Sequence, residues 1–299
     1  MGGGTKAAVS EKEEEEAQVD IWKYVFGFTE MAEVKCAIEL GIAERGIFKE
    51  KSTGQDVSGY AQTPLSRLLM KHGLNSMAAF VLFESSPVML APWHRLSARV
   101  LAAGTSAFEA AHGDDVCHCA ASNPAHSKLL DEAMACDARV AVPAIIDCSP
   151  QVFEGLGLLV DVGGGDGTSL GMVVKACPWI RGINFDLPHV VSLAPYCAGV
   201  EHVGGNMFES IPKADAAYLM ESIPQDTGKV IIAHAVLGES KGDKLKDVAL
   251  LLDMVMMAHT NKGKERTLDE WAHVLHEAGF SRHTVKHIRA VQSVIEAYP

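Results

Sequence analysis

The sequence predicts an α/β fold in which a mostly helical N-terminal half precedes a parallel, nucleotide-binding sheet. Three observations carry this reading. Apolar residues recur at helical spacing through most of the stretch up to residue 150. Beyond Gly155-Leu156-Gly157, short apolar runs alternate with helical stretches, the pattern of parallel strands joined by crossover helices. One of those strands runs into a glycine-rich turn, Gly163-Gly164-Gly165-Asp166-Gly167, of the kind that lets a nucleotide lie on bare backbone at a helix N-terminus.

Residues 1–18 join a glycine-rich start to the run Glu11-Lys12-Glu13-Glu14-Glu15-Glu16, too charged to bury, and read as a disordered acidic leader. From 19 to 44, Ile21, Tyr24, Val25, Phe28, Met31, Val34, Ile38 and Leu40 give amphipathic helices with a wide apolar face that needs a partner. Residues 46–60 read as two short strands around a polar turn, a wing-like hairpin. Pro64 opens a helix at an N1-like position, and further helices are expected over 76–84, 93–102 and 124–148. A helical domain thus occupies 19–150 and a sheet domain 151–299. In the second, strands are expected at 158–162, 182–186, 200–204, 216–220 and 229–234, helices at 245–258 and 268–278, and a closing strand pair at 283–288 and 291–297. Thr267, with Glu270 three residues on, forms a capping box for the helix from 268.

Composition narrows the function classes. A chain of 299 residues with 48% hydrophobic content has enough apolar surface for globular domains. Its formal charge of -12, from 26 Lys and Arg against 38 Asp and Glu, repels nucleic-acid backbones and anionic membranes, which leaves small uncharged or cationic ligands. No run approaches the ~18 to 20 apolar residues of a membrane span, and no signal-peptide core follows Met1, so a cytoplasmic protein is expected. Seven scattered cysteines, an odd number, read as free thiols. Cys117-His118-Cys119 has no second Cys/His pair at finger-like spacing, and no metal site is expected there.

The glycine turn carries the chemistry. A dinucleotide fingerprint would require glycine at 163, 165 and 168, but position 168 is Thr; the spacing is Asp161-x-Gly163-x-Gly165-x-Gly167, the methyltransferase form of the loop. Asp186 ends the next strand, about 20 residues on, where a carboxylate accepts hydrogen bonds from the ribose hydroxyls of an adenosine cofactor. The two features together predict a Rossmann-like cofactor site.

With these residues in place, the chain resembles the plant caffeic-acid-type O-methyltransferases dependent on S-adenosylmethionine, in particular their norcoclaurine 6-O-methyltransferase-like branch. The resemblance runs through Ala91-Pro92-Trp93-His94, Asp131-Glu132-Ala133-Met134, the glycine loop, Phe185-Asp186-Leu187-Pro188-His189-Val190, Gly205-Asn206-Met207-Phe208, Gly263-Lys264-Glu265-Arg266-Thr267 and the closing Gln292-Ser293-Val294-Ile295-Glu296-Ala297-Tyr298. It implies a truncated winged-helix domain that dimerises and roofs the substrate pocket, in a homodimer or in a heterodimer with relatives, and a Rossmann-like methyltransferase domain. It further implies S-adenosyl-L-methionine contacts at Gly163, Asp186, Asn206 and Met207, and a pocket for a small phenolic or alkaloid lined by Trp93, Met134 and Met256.

Two segments of the family pattern are missing. Gly41-Ile42-Ala43-Glu44 joins the wing-like segment directly, without the winged-helix core between them. After Tyr218-Leu219-Met220 the chain passes to Glu221-Ser222-Ile223-Pro224, and the family's crossover helix is lost together with the His-Asp-Trp motif that supplies its catalytic base. A phenol of pKa about 10 keeps its proton at neutral pH, so methyl transfer needs a base. By position, His234 replaces one orienting acid of the family and Glu265 retains the other. Two readings stand at this point: an O-methyltransferase in which His234, at a strand tip beside Glu265, has become the base, and a non-catalytic, dimerising member that still binds the cofactor. With eight residues between Met220 and Lys229, too few for a helical crossover, the fourth strand is expected to be shortened or displaced, or the sheet to be left with exposed apolar surface.

Overall fold

In a computed structural model, the described residues are 21, 23–42, 50–52, 58–60, 63–73, 75–101, 105–219, 229–238 and 245–299. The acidic leader, the junction of 44 with 45, and the segment from Met220 to Gly228 lie outside them. The chain divides into two compact units, Met1–Lys71 and His72–Pro299. The helices over 78–148, which the sequence reading groups with the N-terminal domain, belong to the same unit as the sheet.

In the first unit a helix spans Phe28–Glu39 and buries Ile38. Tyr24, Phe28 and Leu40 stay more than half exposed. The hairpin consists of β1 (Glu50–Ser52) and β2 (Ser58–Tyr60), antiparallel with Glu50 opposite Tyr60. Its expected first strand at Gly46-Ile47-Phe48 lies outside the described residues. Pro64–Leu68 is a short helix, with Thr63 as N-cap and Ser66 closing the capping box.

The second unit is built on a sheet of eight strands: β3 (Leu158–Val162), β4 (Arg181–Asp186), β5 (Val200–Gly204), β6 (Ala216–Leu219), β7 (Lys229–Leu237), β8 (Arg266–Thr267), β9 (Arg282–His287) and β10 (Gln292–Tyr298). The order is β5-β4-β3-β6-β7-β10-β9, with β8 beside the end of β7. Strands β3 to β7 are parallel, and β10 runs antiparallel to both neighbours. Parallel strands covered on both faces read as continuous apolar runs, which is why Leu159-Val160 and Val230-Ile231-Ile232-Ala233 show no alternation.

Both faces are covered. On one, Leu159, Tyr218 and Ile231 pack against Val142 and Ile145 of helix Pro124–Cys148 and against Leu170 and Val173 of helix Thr168–Ala176. On the other, Val160, Val162, Ala217 and Ile232 pack against Trp271 and Leu275 of helix Leu268–Glu277. The expectations of a displaced fourth strand and of open sheet surface are therefore corrected, while β6 is short, at four residues. Strand β6 lies in register between β3 and β7, and its residues Ala216, Ala217 and Tyr218 are fully buried, as are Val230 and Ile231. The same holds for His234: β7 continues to Leu237, so His234 sits within the strand and not at its tip.

Candidate cofactor site and catalytic pair

The glycine loop forms where β3 ends. Gly163, Gly165 and Gly167 all have positive φ, and a Cβ on Gly163 or Gly165 would meet nothing within 4 Å. At Gly165 the requirement is plain: φ of 58° turns its N–H toward Asp186, whose Oδ2 accepts it at 2.9 Å. The Gly163 N–H donates to the Phe185 carbonyl at 2.8 Å, so loop and β4 are tied at two points. Asp186 Oδ1 accepts from the Leu187 N–H at 2.6 Å, which fixes the carboxylate at the carboxyl edge of the sheet, where open α/β folds bind ligands.

Beneath the loop lies a second layer. Asp161 of β3 and Asn184 of β4 are register partners, 2% and 0% exposed. Asn184 Nδ2 donates to the Gly165 carbonyl at 2.9 Å and lies 3.0 Å from His202 Nδ1. Burial, with Asp186 and Asp166 as like charges, pushes the Asp161 carboxyl up to about 7. Asp131, on helix Pro124–Cys148, is also raised, first by burial and then by Asp166 and Asp186. The site is strongly acidic, which suits a cationic ligand.

The other predicted residues fall as follows. Asn206 follows β5 at the same edge, but its side chain caps its own turn: Oδ1 accepts from the Phe208 N–H at 3.1 Å and Nδ2 donates to Glu209 Oε1 at 3.2 Å. Met207 packs on the core that includes Phe185 and Val162. Trp93 meets the ring of His259 edge-on at 5.8 Å, and His259 lies three residues beyond Met256 on helix Lys246–His259. Met134, at 40% exposure, projects from helix Pro124–Cys148. His118 of the Cys-His-Cys segment pairs with Asp115 at 2.7 Å.

The structure brings His234 and Glu265 together, with Nδ1 2.8 Å from Glu265 Oε2 and 3.1 Å from the Ala235 carbonyl. Both side chains are largely buried, and the imidazole meets the Trp271 ring at 5.5 Å. Glu265 is held by its own N–H, which donates to Asp253 Oδ1 at 2.9 Å. The sequence reading assigned no role to Asp161, Asn184 or Asp131. For Asp161 a signal exists, a carboxylate inside an apolar strand; for Asn184 and Asp131 the significance comes only from neighbours distant in sequence.

Comparisons with known proteins give the family and the fold. An O-methyltransferase domain family matches residues 93–227 and 220–281, two segments that overlap at 220–227. The acetylserotonin O-methyltransferase of Arabidopsis thaliana is 44% identical over 356 aligned positions, which cover 96% of this chain and 93% of the relative. That span exceeds the 299 residues of the chain, so the relative carries residues that this chain lacks. The flavonoid 4'-O-methyltransferase 5 of Ocimum basilicum is 43% identical over 80% of this chain and 76% of its own length. Among solved structures, human N-acetylserotonin methyltransferase shares the fold at TM-score 0.79 and 17% identity, covering 98% of this chain and 99% of that one. The chain belongs to the plant O-methyltransferase family.

Proposed function

We propose that this protein is an S-adenosyl-L-methionine-dependent O-methyltransferase whose acceptor is a hydroxyl of a small phenolic or alkaloid. The observation that carries the reading is the bond from the Gly165 N–H to Asp186 Oδ2, which makes the phosphate-free backbone turn and the ribose-binding acid one rigid unit. Open backbone at Gly163 and Gly165 and the acidic surround of Asp131, Asp166 and Asp186 fit an adenosyl sulfonium. When bound, that cofactor supplies an electrophilic methyl group. Asn206 and Met207 complete its surround at the same sheet edge, and Trp93, Met134 and Met256 are assigned to the substrate pocket. The names of the relatives, acting on acetylserotonin and a flavonoid, support an aromatic acceptor.

In this reading His234 takes the acceptor's proton. Nδ1 faces two acceptors, the Ala235 carbonyl and the nearby Glu265 carboxylate, which leaves Nε2 as the basic nitrogen, the arrangement that orients a general-base histidine. A second reading, a non-catalytic member that binds cofactor and dimerises with itself or with relatives, is favoured by the burial of His234 beneath Trp271. The exposed Tyr24, Phe28 and Leu40 in the first unit support the dimer. A cytoplasmic location goes with either reading, on the free cysteines found among the described residues. Labelled methyl transfer to a panel of phenols and alkaloids separates the two readings. Calorimetry with S-adenosylmethionine on wild type and Asp186→Ala tests the site they share: affinity lost in the variant is expected, and equal affinity would mean the nucleotide site is misassigned.

A further inference from the structure

Two buried acceptors converge beneath Gly164. A Cβ added there would lie 2.2 Å from Asn184 Oδ1, 2.7 Å from Asp161 Cγ and 2.8 Å from Asp161 Oδ2. Neither oxygen has a hydrogen-bond partner. The amide cannot turn over to relieve this. Its Nδ2 faces the Gly165 carbonyl, which only accepts, and also His202 Nδ1. His202 Nε2 in turn lies 3.0 Å from the Pro195 carbonyl, another pure acceptor, so the neutral Nε2–H tautomer satisfies the whole chain of contacts and leaves Nδ1 as acceptor for the amide. Asn184 Oδ1 is thereby fixed toward Gly164, beside which Asp161 Oδ2 also lies. An unpaired buried acceptor is costly, and an ionised Asp161 would leave two of them beside the same glycine.

We propose that Asp161 is a positioning residue that works as a neutral carboxylic acid, donating its O–H to Asn184 Oδ1, and that this bond holds the glycine loop in its cofactor-binding shape. The shape passes through Asn184 to the Gly165 carbonyl, and Gly165 in turn donates to Asp186. Charge favours the same state, since an ionised Asp161 would be a further carboxylate beside Asp186 and Asp166. The groups that face it are Asp166 in the loop, Asp186 on β4, Tyr218 on β6 with its buried hydroxyl, His202 on β5 beyond Asn184, and Asp137 on helix Pro124–Cys148, which meets the same Tyr218 field. None of them supplies a proton to the two oxygens at the described distances.

The proposal rests on the cofactor reading, and its test is chosen to separate the two. The probe is 5′-deoxy-5′-methylthioadenosine, which carries the adenosine and no charge, titrated by calorimetry from about pH 6 to pH 9. Wild-type affinity is expected to fall above about pH 7, approaching tenfold per unit, as the proton is lost. Asp161→Asn keeps a donor toward Asn184 Oδ1 at every pH and is expected to bind with a flat profile. A flat wild-type profile, or a variant that keeps the decline, overturns the proposal. Infrared spectroscopy of the ligand-free wild type gives a reading that needs neither a variant nor binding: a buried protonated carboxylic acid band present at about pH 6 and lost above about pH 8 is expected. Its absence throughout overturns the proposal. Failure of the probe to bind at any pH, with the infrared band present, would count against the cofactor site alone.

Discussion

His234 shows how one side chain can be placed by the sequence and given its meaning only by the fold. The residue sits in a run of buried apolar positions, tolerated there because Glu265, from a distant loop, meets its Nδ1 at 2.8 Å. If it serves as base, His234→Ala should lower turnover by about 10²- to 10⁴-fold while leaving cofactor affinity unchanged. Steady-state kinetics beside calorimetry on the same samples checks this. A variant that matches wild type in turnover assigns His234 a packing role under Trp271. The sequence gives the identity of both partners and the family positions they occupy. It cannot give the strand's continuation past His234, because a polar residue in an apolar run looks like an end until its buried partner is known. Asp186 was legible for the opposite reason: its role follows from its short, fixed distance in sequence from a glycine turn.

At the scale of elements, legibility follows length and local chemistry. The parallel strands, the helix Pro124–Cys148 and the closing hairpin were all readable because each carries its own apolar pattern. The short helices Pro87–Leu90, Ala107–His112 and Val116–Ser122 were not, since fewer than about two turns show no period. Each is set instead by a cap: Ser86, Ser106 and Asp115 accept from the backbone N–H three residues on. The two-residue β8 exists only by pairing with β7. The capping box at Thr267 was readable and is formed in full, with the Thr267 hydroxyl accepting from the Glu270 N–H at 3.3 Å and Glu270 Oε2 accepting from the Thr267 N–H at 3.0 Å. Thr267→Ala should cost about 1 kcal/mol, seen as a lower denaturant midpoint at unchanged slope. Lys264 and the Thr267 backbone hold the Glu270 carboxyl down at about 2. The contribution of that carboxylate is accordingly full above the ordinary glutamate range and lost as pH falls through about 2.

For the molecule as a whole, the central question is whether two parallel strands joined by the nine residues 220–228 can close into one sheet. Parallel neighbours ordinarily need a dozen or more residues between them. Here β6 ends at Leu219 and β7 begins at Lys229, yet Ala216 pairs with Lys229 and Leu219 with Ile232 in unbroken parallel register. The return distance is short because β6 has only four described residues, about 13 Å at the usual rise per residue. Nine residues, which can reach up to about 30 Å, are more than that distance requires. Nor does the sheet depend on residues 220–228 for cover, since helix Pro124–Cys148 closes one face and helix Leu268–Glu277 the other, leaving Ala217, Tyr218, Val230 and Ile231 fully buried. A unit with both sheet faces filled should unfold as one cooperative block. The expected result for the purified protein at neutral pH is a single major thermal transition from His72–Pro299, with ANS bound only as that transition proceeds. A neutral adenosine probe at 100 times its dissociation constant adds about 2.7 kcal/mol, which for a domain of this size raises the midpoint by roughly 5 to 10 °C. ANS binding before any unfolding, or a broad transition that the probe does not move, would show that β6 and β7 are not held in register in solution and that the sheet is open beside the cofactor loop.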